Sequence, residues 1–137
     1  MRKTGSEIES DVFNIINASQ LKVLIAGKVY KEGMRPLNAK TEDAIISFMT
    51  GLDGQIQTGV VTVNVYVPNM VSDPVTGVLI KNISRCRTLE ILVNAIVQEL
   101  VPGEYRFGLG AIVQTFPAPE IGQHFINCKI KFQLATF

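Results

Sequence analysis

The chain has 137 residues, 47% of them hydrophobic and 18% charged, with a formal net charge of +1. That is the length of one ordinary domain, large enough to bury a core without a metal or disulfide staple. No apolar run approaches the ~20 residues of a membrane helix, and the near-zero net charge does not mark a polyanion-binding protein. The two cysteines, Cys86 and Cys128, belong to no CxxC pattern and read as reduced thiols in a cytoplasmic setting.

The N-terminus runs straight into an acid-containing amphipathic segment, which does not read as a signal peptide. Thr4-Gly5-Ser6-Glu7 and Ser6-Glu7-Ile8-Glu9 both fit a capping box, and Ile8, Val12, Ile15 and Ile16 follow at helical spacing. A second short segment, 19–26, ends at Gly27, and Lys28-Val29-Tyr30 reads as a short extended piece. Met34-Arg35-Pro36 breaks any regular element.

Residues 44–50 are β-rich, and Asp53-Gly54 signals a hairpin. Val61, Val63, Val65 and Val67 then alternate with Thr62, Asn64 and Tyr66, so one face of that strand is buried and the other half polar. Pro68 stops the strand. Residues 69–83, with Asp73-Pro74 and Thr76-Gly77, read as an excursion or flap. Leu89, Leu92, Val93, Ile96, Val97 and Leu100 form the stripe of a second helix, closed by Pro102-Gly103. Tyr105, Phe107, Leu109, Ala111 and Val113 predict one strand face, and after Pro117 and Pro119 a long last strand turns Ile126, Cys128, Ile130, Phe132 and Leu134 inward. The expected fold is one α+β domain over 1–137: an antiparallel sheet of four to six strands with two helices packed on one face.

Each candidate for chemistry meets a physical objection. The single histidine, His124, has no second ligand at metal-binding spacing, and Cys128 is four residues along the same strand, about 13 Å away at ~3.3 Å per residue. Gly108-Leu109-Gly110 continues in strand alternation where a dinucleotide loop needs a helix. Glu42-Asp43 reads as a solvated turn whose carboxylates diverge. The expectation is a protein without catalytic residues, metal or cofactor.

Charge comes in blocks. Lys28, Lys31, Arg35 and Lys40 face one acid, Glu32; the stretch 41–80 then holds Glu42, Asp43, Asp53 and Asp73 and no base; Lys81, Arg85 and Arg87 follow. Blocks that stayed apart in space would give a positive and a negative side suited to head-to-tail association. Arg85 and Arg87 sit at the start of a helix, where cations oppose the macrodipole by about 0.3–1 kcal/mol each at exposed sites. Either solvent screens them, the plainer reading, or they meet acids of the block 41–80 in the same chain or a neighbouring one. Lys81, Arg85, Arg87, Glu42, Asp43 and Asp73 are the candidate subunit-contact residues.

Several stretches resemble the tail-completion (tail-terminator) proteins of long-tailed bacteriophages and prophages. They are Leu24-Ile25-Ala26-Gly27-Lys28-Val29-Tyr30, Met34-Arg35-Pro36, Ile45-Ile46-Ser47-Phe48, the Val-rich strand 61–66, the helix 89–100, and Ile121-Gly122-Gln123-His124-Phe125-Ile126. The resemblance implies a virion structural protein, assembled in the host cytoplasm, that forms a homo-oligomeric ring, commonly of six subunits. Such a ring caps the tail tube and meets the head connector, with no cofactor and no catalysis. The chain departs from the family's pattern at Thr41-Glu42-Asp43 and in the longer insertion 69–83, a flap that could reach a neighbour. The competing expectation is a small ligand- or nucleic-acid-binding module whose contact surface is the half-polar sheet face carrying Thr62, Asn64, Lys129 and Lys131.

Overall fold

A computed structural model of the chain describes residues 2–136. Helix α1 (Gly5–Asn17) opens with the expected capping box: Thr4 accepts from the Glu7 backbone N–H while the Glu7 carboxylate accepts from that of Thr4. Its buried face is Ile8, Val12 and Ile16. A one-turn helix α2 (Gln20–Leu24), capped by Ser19, leads to strand β1 (Val29–Lys31). Strands β2 (Asp43–Leu52) and β3 (Ile56–Pro68) form the hairpin announced by Asp53-Gly54. A separate two-stranded ribbon of β4 (Met70–Asp73) and β5 (Val78–Ile80) is the flap. Helix α3 (Ile83–Gln98) follows, then β6 (Tyr105–Leu109), β7 (Gln114–Ala118) and β8 (Gln123–Ala135).

The fold is α+β, with a six-stranded and mostly antiparallel sheet. The order is β1-β2-β3-β8-β6, with β7 also on β8, and β3 and β8 pair along their whole length from Ile56↔Ala135 to Pro68↔Gln123. Both long helices pack on one face. Between them and the sheet lies the core, in which Val61, Val63, Val65, Ile126, Cys128 and Ile130 have no exposed surface.

Three features depart from the sequence-based expectation. Strand β1 pairs parallel to β2, Val29 opposite Ala44. A parallel neighbour needs a crossover, and residues 32–42 supply it by passing over the sheet face away from the helices. The predicted strand 105–113 stops at Leu109, because the Gly110 N–H donates to the Lys129 carbonyl and the chain then bulges. Four residues, 110–113, stand opposite two of β8, since pairing resumes two places out of register at Gln114↔Asn127. Pro117 is no stop: it lies inside β7, an edge strand, where its missing N–H breaks no ladder.

Candidate interaction surfaces

Glu42 and Asp43 are consecutive at the entry to β2, so their side chains leave on opposite faces. Glu42 points to the helices. Its carboxylate accepts from Arg85 Nε (2.9 Å) and Nη2 (2.6 Å), and its backbone carbonyl accepts from the Gly27 N–H. Arg85 also donates to the Leu24 carbonyl, so one guanidinium ties the start of α3 to the end of α2. The hydrogen bond that Arg85 donates to Glu42 raises the Arg85 pKa further. The cation misplaced on the helix dipole thus has its acid, and it comes from the same chain.

Asp43 points to the other face and has no exposed surface. It accepts from the Lys28 backbone N–H (2.8 Å), Arg35 Nε (2.9 Å) and the Thr41 hydroxyl (2.7 Å). Burial pushes its carboxyl up, but these donors outweigh burial and hold it below the ordinary carboxylate value. Arg35 stacks on the Tyr66 ring at 4.7 Å and donates to Gln123 Oε1 (3.0 Å), while Gln123 donates to the Ala39 carbonyl (2.8 Å). This buried polar hub clamps the crossover to the sheet. The solvated turn expected at Glu42-Asp43 is therefore corrected. Arg35, eight residues before Asp43, and Arg85, 43 residues after Glu42, enclose the two acids, and neither Asp43 nor the Glu42 carboxylate is free for a neighbouring subunit.

The expected separation into a positive and a negative side fails for the same reason. Of the four acids in 41–80, Glu42 and Asp43 hold Arg85 and Arg35, and Asp53 pairs with Arg2. Asp73 caps its own turn through the Val75 N–H, a bond that lowers its pKa. Lys81 and Arg87 make no ion pair among the described residues; Arg87 is exposed and Lys81 half-buried at the flap's return into α3. Of the candidate contact residues, these two and Asp73 keep outward positions.

His124 Nδ1 lies 2.7 Å from Asn69 Oδ1 at the root of the flap, and burial together with the Lys81 charge lowers its pKa. Cys128 is fully buried with its thiol pushed up to about 12 by burial, and burial raises Cys86 as well. Both are protonated and sheltered at neutral pH. No group of three or more His, Cys, Asp or Glu among the described residues is placed to hold a metal ion.

Three exposed surfaces stand out among the described residues. On the helix-free sheet face, Phe116, Phe125 and Tyr66 form a row across β7, β8 and β3, with ring centroids 5.7 and 5.2 Å apart. Lys129 and Lys131 lie further along β8 on that face, and Gly108 and Arg106 occupy the adjoining positions of β6. The one acid in the strands of the six-stranded sheet among the described residues is the buried Asp43. The second surface is the flap, where Met70, Val71, Val75, Val78, Leu79 and Ile80 are all exposed, Val75 at 93%. The third is a shallow groove of about 520 Å³ between α3 (Glu90, Ile91, Asn94) and the bulge 109–113.

Sequence reasoning placed the flap but not its character. The signal was available: residues 69–80 carry one charge and six large apolar side chains, too many for a solvated loop. No family model matches the chain, and no curated protein matches it significantly.

Proposed function

We propose that this chain is a structural subunit that associates with copies of itself, forming a ring of the tail-terminator kind at the head-proximal end of a phage tail. The observation that carries the proposal is the flap. A two-stranded ribbon has no core of its own, and this one exposes large aliphatic residues on both strands and on its tip. A concentration of exposed apolar side chains of that size is characteristic of protein contact sites. The ring and its place on a tail rest on the resemblance described above; the flap supports the association itself.

The test is the mass of the purified chain in solution, alone and with tail-tube protein. The expected result is a species at a multiple of 15.0 kDa, either free or on addition of tube. A strict monomer at high concentration that also ignores the tube would overturn the reading.

One observation favours a second reading. The helix-free face combines an aromatic row with Lys129, Lys131 and Arg106, chemistry suited to an anionic partner such as single-stranded nucleic acid. It predicts oligonucleotide binding that weakens steeply with salt and is lost in Lys129→Glu/Lys131→Glu. Binding insensitive to both would dispose of it.

A further inference from the structure

The flap and the groove are two apolar surfaces of one chain that do not meet within it. From Met70 to Ile83 the flap exposes seven large aliphatic or methionine side chains. They lie on both faces of the ribbon, Met70 and Ile80 on one and Val71 and Leu79 on the other, and their summed exposed area is on the order of 700 Å², close to one partner's share of a standard interface for a partner that encloses the ribbon. The sole charge in 69–80, Asp73, is engaged by its own turn. The one other charge between Met70 and Ile83, Lys81, stands half-buried at the flap's return into α3.

The groove has matching chemistry. Leu109, Ala111, Ile112 and Val113 form one wall and Ile91 the other, with Ile112 exposed at 84%. The nearby carboxylate, Glu90, accepts from the Thr115 hydroxyl. The bulge accounts for the groove: two extra residues opposite β8 push Ala111 and Ile112 off the sheet edge. That same displacement removes the edge as a template for adding a strand, so contact there is made by side chains.

The flap is rooted at the other end of β8. The Asn69 N–H donates to the Gly122 carbonyl, and Asn69 meets His124. The groove lies beside residues 128–130, roughly 20 Å further along the strand. We propose that the flap of one copy seats in the α3–bulge groove of the next copy. Donor and acceptor are different surfaces, so the contact is heterologous: each copy offers one flap and one groove, and the series ends only when a ring closes. This inference rests on the self-association proposed above, and it names the surfaces that make the contact.

Engineered cysteines test it, because the native thiols Cys86 and Cys128 are buried and silent. Val75→Cys and Ile112→Cys change highly exposed positions, so the fold is unaffected. Mixing the two single variants under a short bismaleimide should give a cross-linked dimer, while either variant alone should not. The double variant should give a ladder of multiples. Efficient dimers of Val75→Cys alone would mean that flap meets flap, overturning the groove assignment. Oligomers by sedimentation with no cross-link in the mixture would also overturn it, while leaving self-association standing. A monomer by sedimentation with no cross-link, with or without tube protein, would defeat both.

Discussion

Replacing Arg35 by Met removes the cation from the buried hub and from the face of Tyr66 while keeping an aliphatic stem of similar length. The Arg35 side chain is 7% exposed and Asp43 not at all, so the loss leaves a carboxylate with no water to replace its partner. Breaking a buried pair in this way typically costs 3–5 kcal/mol. The Lys28 N–H and the Thr41 hydroxyl stay in place, which puts the expected loss near the lower end, about 3 kcal/mol. For a chain of this length, roughly 3–5 °C per kcal/mol makes that a fall in Tm of roughly 10–15 °C at pH 7.5.

The pH dependence distinguishes this cause from lost packing. In the wild type the Asp43 pKa is depressed. Its contribution is therefore complete above the unfolded value of about 3.9 and fades as pH falls through the lower folded value. In Arg35→Met, burial is opposed only by the Lys28 N–H and the Thr41 hydroxyl, so the folded pKa of Asp43 should move up and is expected to pass the unfolded one. The variant then gains relative stability as pH falls and the buried carboxylate takes up a proton. Thermal unfolding followed by circular dichroism should show the Tm gap narrowing between pH 7.5 and 4.5. Arg35→Met/Asp43→Asn should lose less than Arg35→Met alone, since the stranded charge is gone. A gap under about 3 °C, or one of equal size at both pH values, would refute the reasoning.

The Glu42–Arg85 pair separates two arginines that sequence treats alike. Arg85→Glu should lower stability by about 1–3 kcal/mol, because it sets two carboxylates together where Glu42 is nearly buried and Arg85 a third exposed; Arg87→Glu, on the surface, should leave Tm within about 2 °C. Gly27→Ala should cost about 2 kcal/mol or more by overpacking, since a Cβ there would strike the Asp43 carboxylate and the Glu42 carbonyl; an unchanged Tm would mean that the hub yields. Cys86 and Cys128 should resist a thiol reagent at pH 8 in the native protein and react together once it unfolds.

Elements with a period of their own were legible in the sequence. The capping box and stripe of α1, the valine alternation of β3 and the stripe of α3 form as read, except that α3 ends at Gln98 and leaves Leu100 past its end. Strand β1 was half legible: three residues carry no period, and its parallel pairing is decided by where β2 lies. The break after Leu109 could not be read, because Tyr105 to Val113 keeps its alternation straight through the interruption. What decides the break is the number of residues β8 presents opposite. The Glu42-Asp43 dipeptide misled for a related reason. Two adjacent acids ordinarily face water, and their burial depends on Arg35 and on Arg85, which lies 43 residues away.

That internal pairing changes what kind of contact the molecule can make. Opposed charge blocks would predict association that dissolves in salt. Once the fold engages most of the acid block internally, the extended surface left to bind another copy is the nearly charge-free flap. Apolar contact has no Debye screening to lose and is unharmed by salt, whereas exposed ion pairs are screened within about 3 Å at 1 M. The association constant from sedimentation equilibrium should therefore hold or rise between 0.05 and about 1 M sodium chloride. It should fall when Val71 or Leu79, which face each other across the flap, is replaced singly by aspartate, with the monomer's Tm unchanged. Dissociation by salt, with indifference to the flap substitutions, would return the interface to Lys81 and Arg87 and remove the flap from it.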